Sequence, residues 1–541
     1  MRQSFFGFNI ALSGLYTAQR NLDTVNHNIT NATTPGFSRQ QGVQVAMRPI
    51  SLLDGTGMVG TGSTITSVNR IRDEYLDFKY WSENTANGEW SKKAELLSEI
   101  EMVFGEPSDS GFVTVMNGFY DAYQELAKDP SSPAARALVR EKAVTMAKYF
   151  NNTATRFESL QSDINDMIKV TTDKVNSIAT QIQQLNKQIY NFELDGNSAN
   201  DLRDSRTLLV DQLSKLINIQ ANEVSYGKLP DGRNDVHFVI TVSGKPLVDH
   251  FDSTKLMLTQ REDKLNSEDV GNLYDISWAD GNKLELKGGE LKGMFDIRDG
   301  NDGAIGIDGN TSSPMYKGIP YYQRKLNEFV RTFAMAFNEG YINNNGTLVD
   351  GIGHVDGYGY DSDITGPVEA PTGIRFFTMF GEENKPVDSS TFIGSATDQT
   401  SIVNQYNQIT AKNFTVSGDV MSNTDTIATS DVQGENGNIK VLNAILQIRN
   451  NKSLFYEGAP EDFMKSLIAG MGIDAQQANN YSKVQQTIVN QVDTRRMSVS
   501  GVSLDEEMTN LVKFQQAYNA SAKMITTMME IYDTLIFRIG Q

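Results

Sequence analysis

The chain has 541 residues, enough for several domains with buried cores, and its lack of cysteine excludes disulfide bonds, thiol catalysis and cysteine-bound zinc. Its formal net charge of -19 comes from acidic and basic residues mixed along the chain, which opposes binding to nucleic acid or to anionic membranes. No apolar run reaches the roughly eighteen residues of a membrane-spanning helix.

The N-terminal stretch predicts an amphipathic helix. Apolar residues recur there at steps of three and four, and Pro35 and Gly36 end the pattern. The positions of this N-terminal seam are Phe5, Phe8, Leu12, Leu15, Gln19, Leu22, Asn26 and Ile29. The stretch resembles the core of a signal peptide, but glycines and polar residues interrupt it, so we predict that it is not cleaved.

The region after this helix predicts an extended linker and then a helical body. Residues 37–68 alternate in polarity and are rich in glycine, which is typical of short strands and turns. A phosphate loop is an alternative for these glycines, but its Gly-Lys-Ser/Thr ending is missing. Periodic apolar residues predict helices over 90–104, 112–127, 157–192 and 201–219, the last two folded as a hairpin.

Near Tyr226 the pattern changes from helical to alternating, which predicts a β-rich insert. The expected strands span 236–242, 255–258, 274–278 and 283–286, and a helix follows over 320–341. Residues 343–363 contain four scattered aspartates, whose spacing fits a surface loop better than a calcium site. Residues 380–430 are rich in Ser, Thr, Asn and Asp, and we expect exposed β structure or loops there.

The C-terminal part predicts helices throughout, over 434–448, 463–471 and 475–497 and in a terminal helix. The terminal helix begins at Ser503, whose spacing to Glu506 is that of a capping box. Its apolar positions, the C-terminal seam, are Leu504, Met508, Leu511, Gln515, Tyr518, Ala522, Ile525, Met529, Tyr532, Ile536 and Ile539.

The two seams suggest that the terminal helices pair. A lone pair of such helices is marginal, because the entropy lost on ordering offsets most of the gain from burial. We therefore expect neighbouring molecules to complete the pairing, and docking on the chain's own globular part is the alternative. Gln19 and Gln515 occupy core positions, where polar groups can fix the register. The alternative for them is a position facing water at a gap in the packing.

Sequence stretches next to the seams resemble known signatures. The sequence NHNITNATTPGFSR at 26–39 resembles the N-terminal signature of bacterial flagellar rod, hook and hook-associated axial proteins. The sequences SVSGVSLDEE at 498–507 and QQAYNASA at 515–522 resemble the more specific C-terminal signature of the flagellar hook-associated protein 1 family. Further motifs that resemble this family lie in the helical body, at 105–111, 133–136 and 200–206.

The resemblance implies a structural adaptor between hook and filament, exported from the cytoplasm by the flagellar type III apparatus and located at the flagellum. The implied partners are hook protein, the second hook-filament junction protein, further copies of the chain in a ring or tube, and a cytosolic export chaperone on the C-terminal seam. No cofactor or metal is implied, and no histidine belongs to a catalytic motif, so we predict a non-enzyme. Another axial component such as hook protein, or a secreted adhesin, is the alternative.

The expected fold is mainly α with a β-rich insert: terminal coiled-coil helices, an elongated helical-bundle body and an outer β domain. The predicted parts are a terminal axial assembly domain at 1–60 and 500–541, a helical body at 61–225, 287–343 and 435–499, and a β-rich outer insert at 226–286 and 344–434. Both termini should lie at one end, and the terminal helices should be disordered in the free subunit and fold on assembly.

Overall fold

The computed structural model describes residues 6–51, 57–105, 111–228, 232–309, 313–340, 351–361 and 370–534. Thirteen α-helices lie within these ranges: α1 Phe6–Thr30, α2 Glu74–Phe104, α3 Phe112–Lys128, α4 Pro133–Glu193, α5 Asn200–Leu216, α6 Glu290–Asp299, α7 Ile319–Glu339, α8 Ser389–Ile393, α9 Gln399–Tyr406, α10 Gly418–Ser422, α11 Lys440–Ile448, α12 Pro460–Ser500 and α13 Leu504–Asp533.

The same ranges contain twelve strands: β1 Gln40–Ala46, β2 Ile50–Ser51, β3 Met58–Val59, β4 Ser63–Arg70, β5 Gln220–Lys228, β6 Asn234–Val242, β7 Lys245–Asp249, β8 Asp252–Ser253, β9 Leu256–Gln260, β10 Tyr274–Trp278, β11 Phe377–Met379 and β12 Phe414–Val416. The largest sheet has the order β5-β6-β7-β8, and the remaining strands form the pairs β1 with β4, β2 with β3, β9 with β10, and β11 with β12. The described chain is therefore mainly helical, as predicted.

The body is built around α4, a helix of 61 residues. Ser132 caps its first turn by accepting a hydrogen bond from the backbone N–H of Ala135, and Pro133 supplies a preset φ. At about 1.5 Å per residue α4 is roughly 90 Å long. Helices α3, α5, α6 and α7 pack against it, and α2 and α12 lie side by side. The predicted helix over 157–192 is thus confirmed as part of a longer one.

Three of the four strands predicted for the outer insert are confirmed. The strands expected over 236–242, 255–258 and 274–278 correspond to β6, β9 and β10. The strand predicted over 283–286 is wrong, since Lys283 makes a single isolated bridge to β10. Beyond this bridge the backbone bonds side chains outside β10: the Glu285 carbonyl accepts from the Ser243 hydroxyl, and the Lys287 N–H donates to the Asn218 side chain.

The second half of the predicted insert, 344–434, is not β-rich in its described part. It has two three-residue strands, three short α-helices and three 3-10 helices. Helix α9 starts at a capping box in which the Asp398 carboxylate accepts a hydrogen bond from the backbone N–H of Ser401. Polar residues that suggested loops therefore serve here as helix caps.

The region 380–430 is exposed only in part: most residues of 382–400 are exposed, as predicted, whereas many residues of 406–430 are buried. Phe392 and Tyr406 are buried in the core that this region shares with α4 and α7. Arg136 of α4, itself fully buried, donates a hydrogen bond of 2.7 Å to the carbonyl oxygen of Ile427. Tertiary packing on the body, invisible in a local pattern, buries the second part of this polar segment.

Several helix boundaries differ from the predictions. Helix α11 begins at Lys440 and not at 434, and α5 ends at Leu216 and not at 219. The helices expected over 463–471 and 475–497 are one continuous helix, α12. Helix α2 begins at Glu74, well before the predicted start at residue 90, with Asp73 as its cap. The motif at 105–111 lies largely outside the described residues, as do 343–350 and 362–363 of the predicted loop. The described part of that loop, 351–361, contains the 3-10 helix His354–Asp356 and no α-helix or strand.

Candidate subunit interface of the terminal helices

The two terminal helices pack antiparallel and in close contact. A Cβ atom built on Gly7 of α1 would lie 2.6 Å from Cε of Met528 in α13, and one on Gly14 would lie 3.0 Å from Oγ of Ser521. The two contacts are one heptad apart on each helix, so the helices keep a common register. The terminal helices therefore pair within one chain.

The face of α1 that is buried in the chain consists of small residues. Ala11, Ala18 and Val25 are buried at heptad spacing, one position to the side of the predicted N-terminal seam. Small side chains let α1 approach both α13 and the β1–β4 hairpin. Of the predicted seam, Phe8, Leu12, Leu15, Leu22 and Ile29 are half-buried, Gln19 is exposed, and Phe5 lies outside the described residues.

Helix α13 shows a comparable offset. A stripe of buried and half-buried residues follows heptad spacing along α13, with the half-buried Asn510 and Ala522 beside the stripe; its members are Glu507, Leu511, Phe514, Tyr518, Ser521, Ile525, Met528 and Tyr532. The predicted C-terminal seam shares Leu511, Tyr518, Ile525 and Tyr532 with this stripe. Of its other members, Ala522 is half-buried, Leu504, Met508, Gln515 and Met529 are exposed, Met508 by 53%, and Ile536 and Ile539 lie outside the described residues.

Residues 38–40, here called the strap, connect both terminal helices to the body. Arg39 donates from Nε to Oε1 of Glu507 at 2.8 Å, and Asn28 of α1 lies 3.2 Å from the other oxygen of that carboxylate. Glu507 is only 1% exposed. A buried carboxylate is costly without such donors, so the N-terminal signature makes its burial possible. Sequence reasoning missed this burial, although Glu507 continues the heptad spacing of the buried stripe.

Ser38 attaches the strap to α5. Its backbone N–H and its Oγ donate to the carboxylate of Asp204 at 2.8 and 2.7 Å, and Arg70 donates to the same carboxylate at 3.1 Å. Burial lowers the pKa of Arg70, neighbouring Arg72 lowers it further, and Asp204 opposes the shift. The half-buried guanidinium groups of Arg70 and Arg72 therefore lie beside the buried Asp204 carboxylate.

Gln40 attaches the strap to α1 and again to α5. Its backbone exchanges two hydrogen bonds with the amide of Asn28, at 2.9 and 2.8 Å. Its side chain donates to Asp201 at 2.7 Å and accepts from Asn200 at 3.2 Å. His27 lies 3.2 Å from the same Asp201 carboxylate, at the interface between α1 and the body.

Below the strap, Asp211 of α5 joins α2 to α12. It accepts hydrogen bonds from the indole N–H of Trp81 at 2.7 Å and from Arg496 at 2.8 Å. Burial raises the pKa of Asp211, while Arg496 and Trp81 act in the opposite direction. The guanidinium of Arg496 also lies 3.9 Å from the centre of the Tyr80 ring and contacts Asp493.

The arrangement offers surfaces for binding. Among the residues that the structure describes, no three His, Asp or Glu side chains form a potential metal site. No helix in these ranges is both long and apolar enough to cross a membrane. His354 is fully buried, and its ring bonds the backbone of Ile374 and Ala428, which is a structural role.

Comparison with known proteins agrees with the signatures. Residues 97–354 match the family described as flagellar hook-associated protein FlgK helical domain, and residues 494–536 match the flagellar basal body rod FlgEFG protein C-terminal family. Among solved structures, the flagellar hook junction protein FlgK from Burkholderia pseudomallei has a similar fold, with a TM-score of 0.52 and 15% sequence identity over 79% of this chain and 100% of that chain.

Curated relatives match over nearly their whole length. Flagellar hook-associated protein 1 of Escherichia coli (strain K12) is 24% identical over 550 residues, which cover 98% of each chain. Flagellar hook-associated protein 1 of Bacillus subtilis (strain 168) is 30% identical over 560 residues, which cover 100% of this chain and 99% of the relative. The chain therefore belongs to the flagellar hook-associated protein 1 family.

Proposed function

We propose that this chain is a structural adaptor that joins the hook of the bacterial flagellum to its filament. The observation that carries the proposal is the apolar surface that the paired terminal helices leave open. Leu504, Met508 and Met529 of α13 are exposed, and Leu12 and Leu15 of α1 are half-buried. An apolar stripe of this extent marks an interaction site, and neighbouring copies would cover it.

The proposed subunit interface comprises both predicted seams. Its N-terminal part is Phe5, Phe8, Leu12, Leu15, Gln19, Leu22 and Ile29, and its C-terminal part is Leu504, Met508, Leu511, Gln515, Tyr518, Ile525, Met529, Tyr532 and Ile536. Members that face the partner helix hold the pair together, and the exposed members contact the next copy. Heptad stripes on both helices suit a coiled-coil tube.

In this tube the chain contacts hook protein on one side and the second hook-filament junction protein on the other. The flagellar type III apparatus exports it from the cytoplasm to the cell surface, and a small cytosolic chaperone binds the C-terminal helix beforehand. The exposed Met508, Met524 and Met529 support a surface with more than one partner, because the flexible thioether side chain adapts to different shapes.

Deletion of the gene in the source organism tests the adaptor role. We expect bare hooks in electron micrographs and filament protein in the medium, because filament subunits would be exported without an attachment point. Missing hooks would indicate a hook or rod component instead. Normal filaments would contradict the proposal.

Gln19 and Gln515 fix the register of the tube in this proposal. Both are exposed in the single chain, so the next copy would meet them. We expect Gln515→Leu to reduce the fraction of cells with attached filaments, since a polar group at a core position selects one alignment. Gln516→Leu, at an exposed position outside the seam, is the control. Unchanged attachment in Gln515→Leu would exclude the register role.

A further inference from the structure

Helix α13 carries a further apolar stripe that the predicted C-terminal seam does not include. Ala517, Met524 and Ile531 recur along it at heptad spacing, and they are here called the third stripe. Met524 and Ile531 are 52% and 45% exposed, and Ala517 is exposed as well. An exposed apolar row along a helix indicates a contact surface.

The direction of the third stripe follows from the side of α13 that faces α1. The buried and half-buried stripe of α13 lies on that side, since Met528 and Ser521 contact Gly7 and Gly14 of α1. At about 100° per residue, the third stripe lies about a quarter turn to one side of it. The exposed seam residues lie about a quarter turn to the other side, and they are Leu504, Met508, Gln515 and Met529. Helix α13 is therefore open on two opposite flanks.

A helix that is apolar on three sides is normally surrounded by other helices. Helix α1 covers one side of α13, so two sides remain for other molecules. If two copies met through their seams, the contact would be isologous and would close as a pair, with the third stripe left exposed in both copies. If the seam of one copy met the third stripe of the next, the contact would be heterologous. It would cover both flanks of every copy that has two neighbours, and it would repeat.

The two flanks also fit each other in side-chain size. When two copies of α13 lie side by side, parallel and level, Gln515 of one lies beside Ala517 of the other, and Ala522 lies beside Met524, because two residues rise only about 3 Å. A large side chain thus meets a small one at both levels. None of these four residues is charged, so no ion loses its hydration when they are buried.

We propose that the C-terminal seam of one copy packs on the third stripe of α13 in the next copy, with Gln515 beside Ala517 and Ala522 beside Met524. The contact rests on the proposed assembly of the chain into a tube, in which copies around the axis point the same way. It names the surface that receives the seam. Ala517 sets the register of the two helices, because a larger side chain there would collide with Gln515.

Disulfide cross-linking tests the contact, because the chain contains no cysteine. Ala522→Cys and Met524→Cys are placed in one chain, which is expressed in cells that lack the native gene, and an oxidant is added to the intact cells. The two cysteines of one copy point to opposite flanks, whereas those of neighbouring copies should reach the Cβ separation of about 4.5 Å that a disulfide needs. We expect a ladder of covalent dimers, trimers and larger species on a non-reducing gel.

A matched control moves the second cysteine by one residue. Ala522→Cys with Lys523→Cys turns that side chain by about 100°, away from the neighbouring copy, and should give no ladder. Neither Ala522→Cys nor Met524→Cys alone should give a covalent dimer. A dimer from Ala522→Cys alone would indicate the contact between two seams and overturn the proposal. Attached filaments without a ladder in the chain with both Ala522→Cys and Met524→Cys would also overturn it.

A bulky substitution provides a second test that needs no oxidant, and it decides the matter if the chain with two cysteines does not assemble. Ala517→Leu should lower the fraction of cells with attached filaments several-fold, because the leucine fills the space that Gln515 of the next copy takes. Gln516→Leu, which lies on neither stripe, should leave attachment unchanged. Unaltered attachment in Ala517→Leu would overturn the contact and leave the adaptor role intact. Normal filaments after deletion of the gene would contradict both.

Discussion

At the scale of single residues, the strap shows how the two ends of the sequence depend on each other. Ser38 binds α5, Arg39 binds α13 and Gln40 binds α1, so three neighbours in sequence contact three different helices. Glu507, from the C-terminal signature, is buried between Arg39 and Asn28 of the N-terminal signature. The two signatures are therefore halves of one hydrogen-bonded joint.

Asp211 and Asp493 provide a matched test of burial, because both contact the guanidinium of Arg496, at 2.8 and 2.9 Å. Asp211→Ala leaves Arg496 and the Trp81 indole without their buried acceptor, and we expect it to lower the free energy of unfolding by about 3 to 5 kcal/mol. Asp493→Ala removes an exposed partner and should cost about 1 kcal/mol or less. Urea unfolding measures the free energy of unfolding of both variants. Equal losses would show that the burial of Asp211 does not increase its contribution to stability.

His354 should make the fold sensitive to acid. Its Nδ1–H donates to the Ile374 carbonyl and its Nε2 accepts from the N–H of Ala428, so the fold needs the neutral ring. Burial lowers the pKa of His354 from 6.5 to about 4. The unfolded chain therefore takes up a proton first as the pH falls, and the stability that His354 provides is complete above about pH 6.5 and is lost toward pH 4.

Melting temperatures between pH 7 and pH 4 test this prediction. The wild-type chain should lose stability over that range. His354→Asn should melt lower at pH 7 but show a shallower decline, because the depressed pKa is gone. Carboxylates contribute the same background to both proteins. Parallel curves would contradict the role of His354.

At the scale of elements, periodicity identified both terminal helices but not the faces through which they pair. Helix α1 carries a small-residue stripe, with Ala11 and Ala18, beside a large apolar stripe, with Leu12 and Leu15. Hydrophobic spacing favours the larger side chains, whereas close approach to α13 and the hairpin selects the smaller ones. Which stripe of α1 is buried within the chain depends on its tertiary neighbours, so the sequence pattern of α1 alone does not predict it.

The short helices of 380–430 were unpredictable for a related reason. Helices α8, α9 and α10 have five to eight residues, too few to show a clear period or to be stable alone. Their caps and their burial on the body hold them in place. Arg136, part of a motif that resembles the family, contributes directly by bonding the carbonyl of Ile427. The motif was visible in the sequence, but its contact was not.

Glycines inside two helices should respond oppositely to the same substitution. A Cβ on Gly472 of α12 meets nothing within 4 Å, so Gly472→Ala should stabilise the chain by about 0.5 to 1 kcal/mol. A Cβ on Gly88 of α2 would lie 2.1 Å from the carbonyl oxygen of Lys215 in α5. Gly88→Ala has the same gain in helix propensity, but separating the two backbones should cost about 1 to 3 kcal/mol and outweigh it.

Thermal unfolding of the two alanine variants measures this difference. The melting temperature should rise for Gly472→Ala and fall for Gly88→Ala. A rise for both would mean that α2 and α5 separate without cost.

At the scale of the whole molecule, the terminal pair has the least support from the rest of the chain. In the described part of α13 only Glu507 is buried, whereas α4 has buried residues along its whole length. We therefore expect the terminal helices to be disordered in the free subunit and to fold on assembly. Hydrogen exchange in the monomer should be fast over 5–29 and 504–539 and slow in α4. Slow exchange throughout both terminal segments would contradict this.

The strap also determines how torque would pass between the terminal helix pair and the body. A plain peptide link between the terminal pair and the body would swivel about its backbone dihedrals. Here, rotation of the pair about its own axis would have to shear hydrogen bonds to α5, α13 and α1 at once. Such a joint is torsionally stiff. It transmits torque between the terminal helix pair and the body with little rotation of one relative to the other. Because Arg39 alone makes ion pairs there and its partner Glu507 is buried, salt should change the stiffness of the joint little. Because the chain has no cysteine, reductant should not change it.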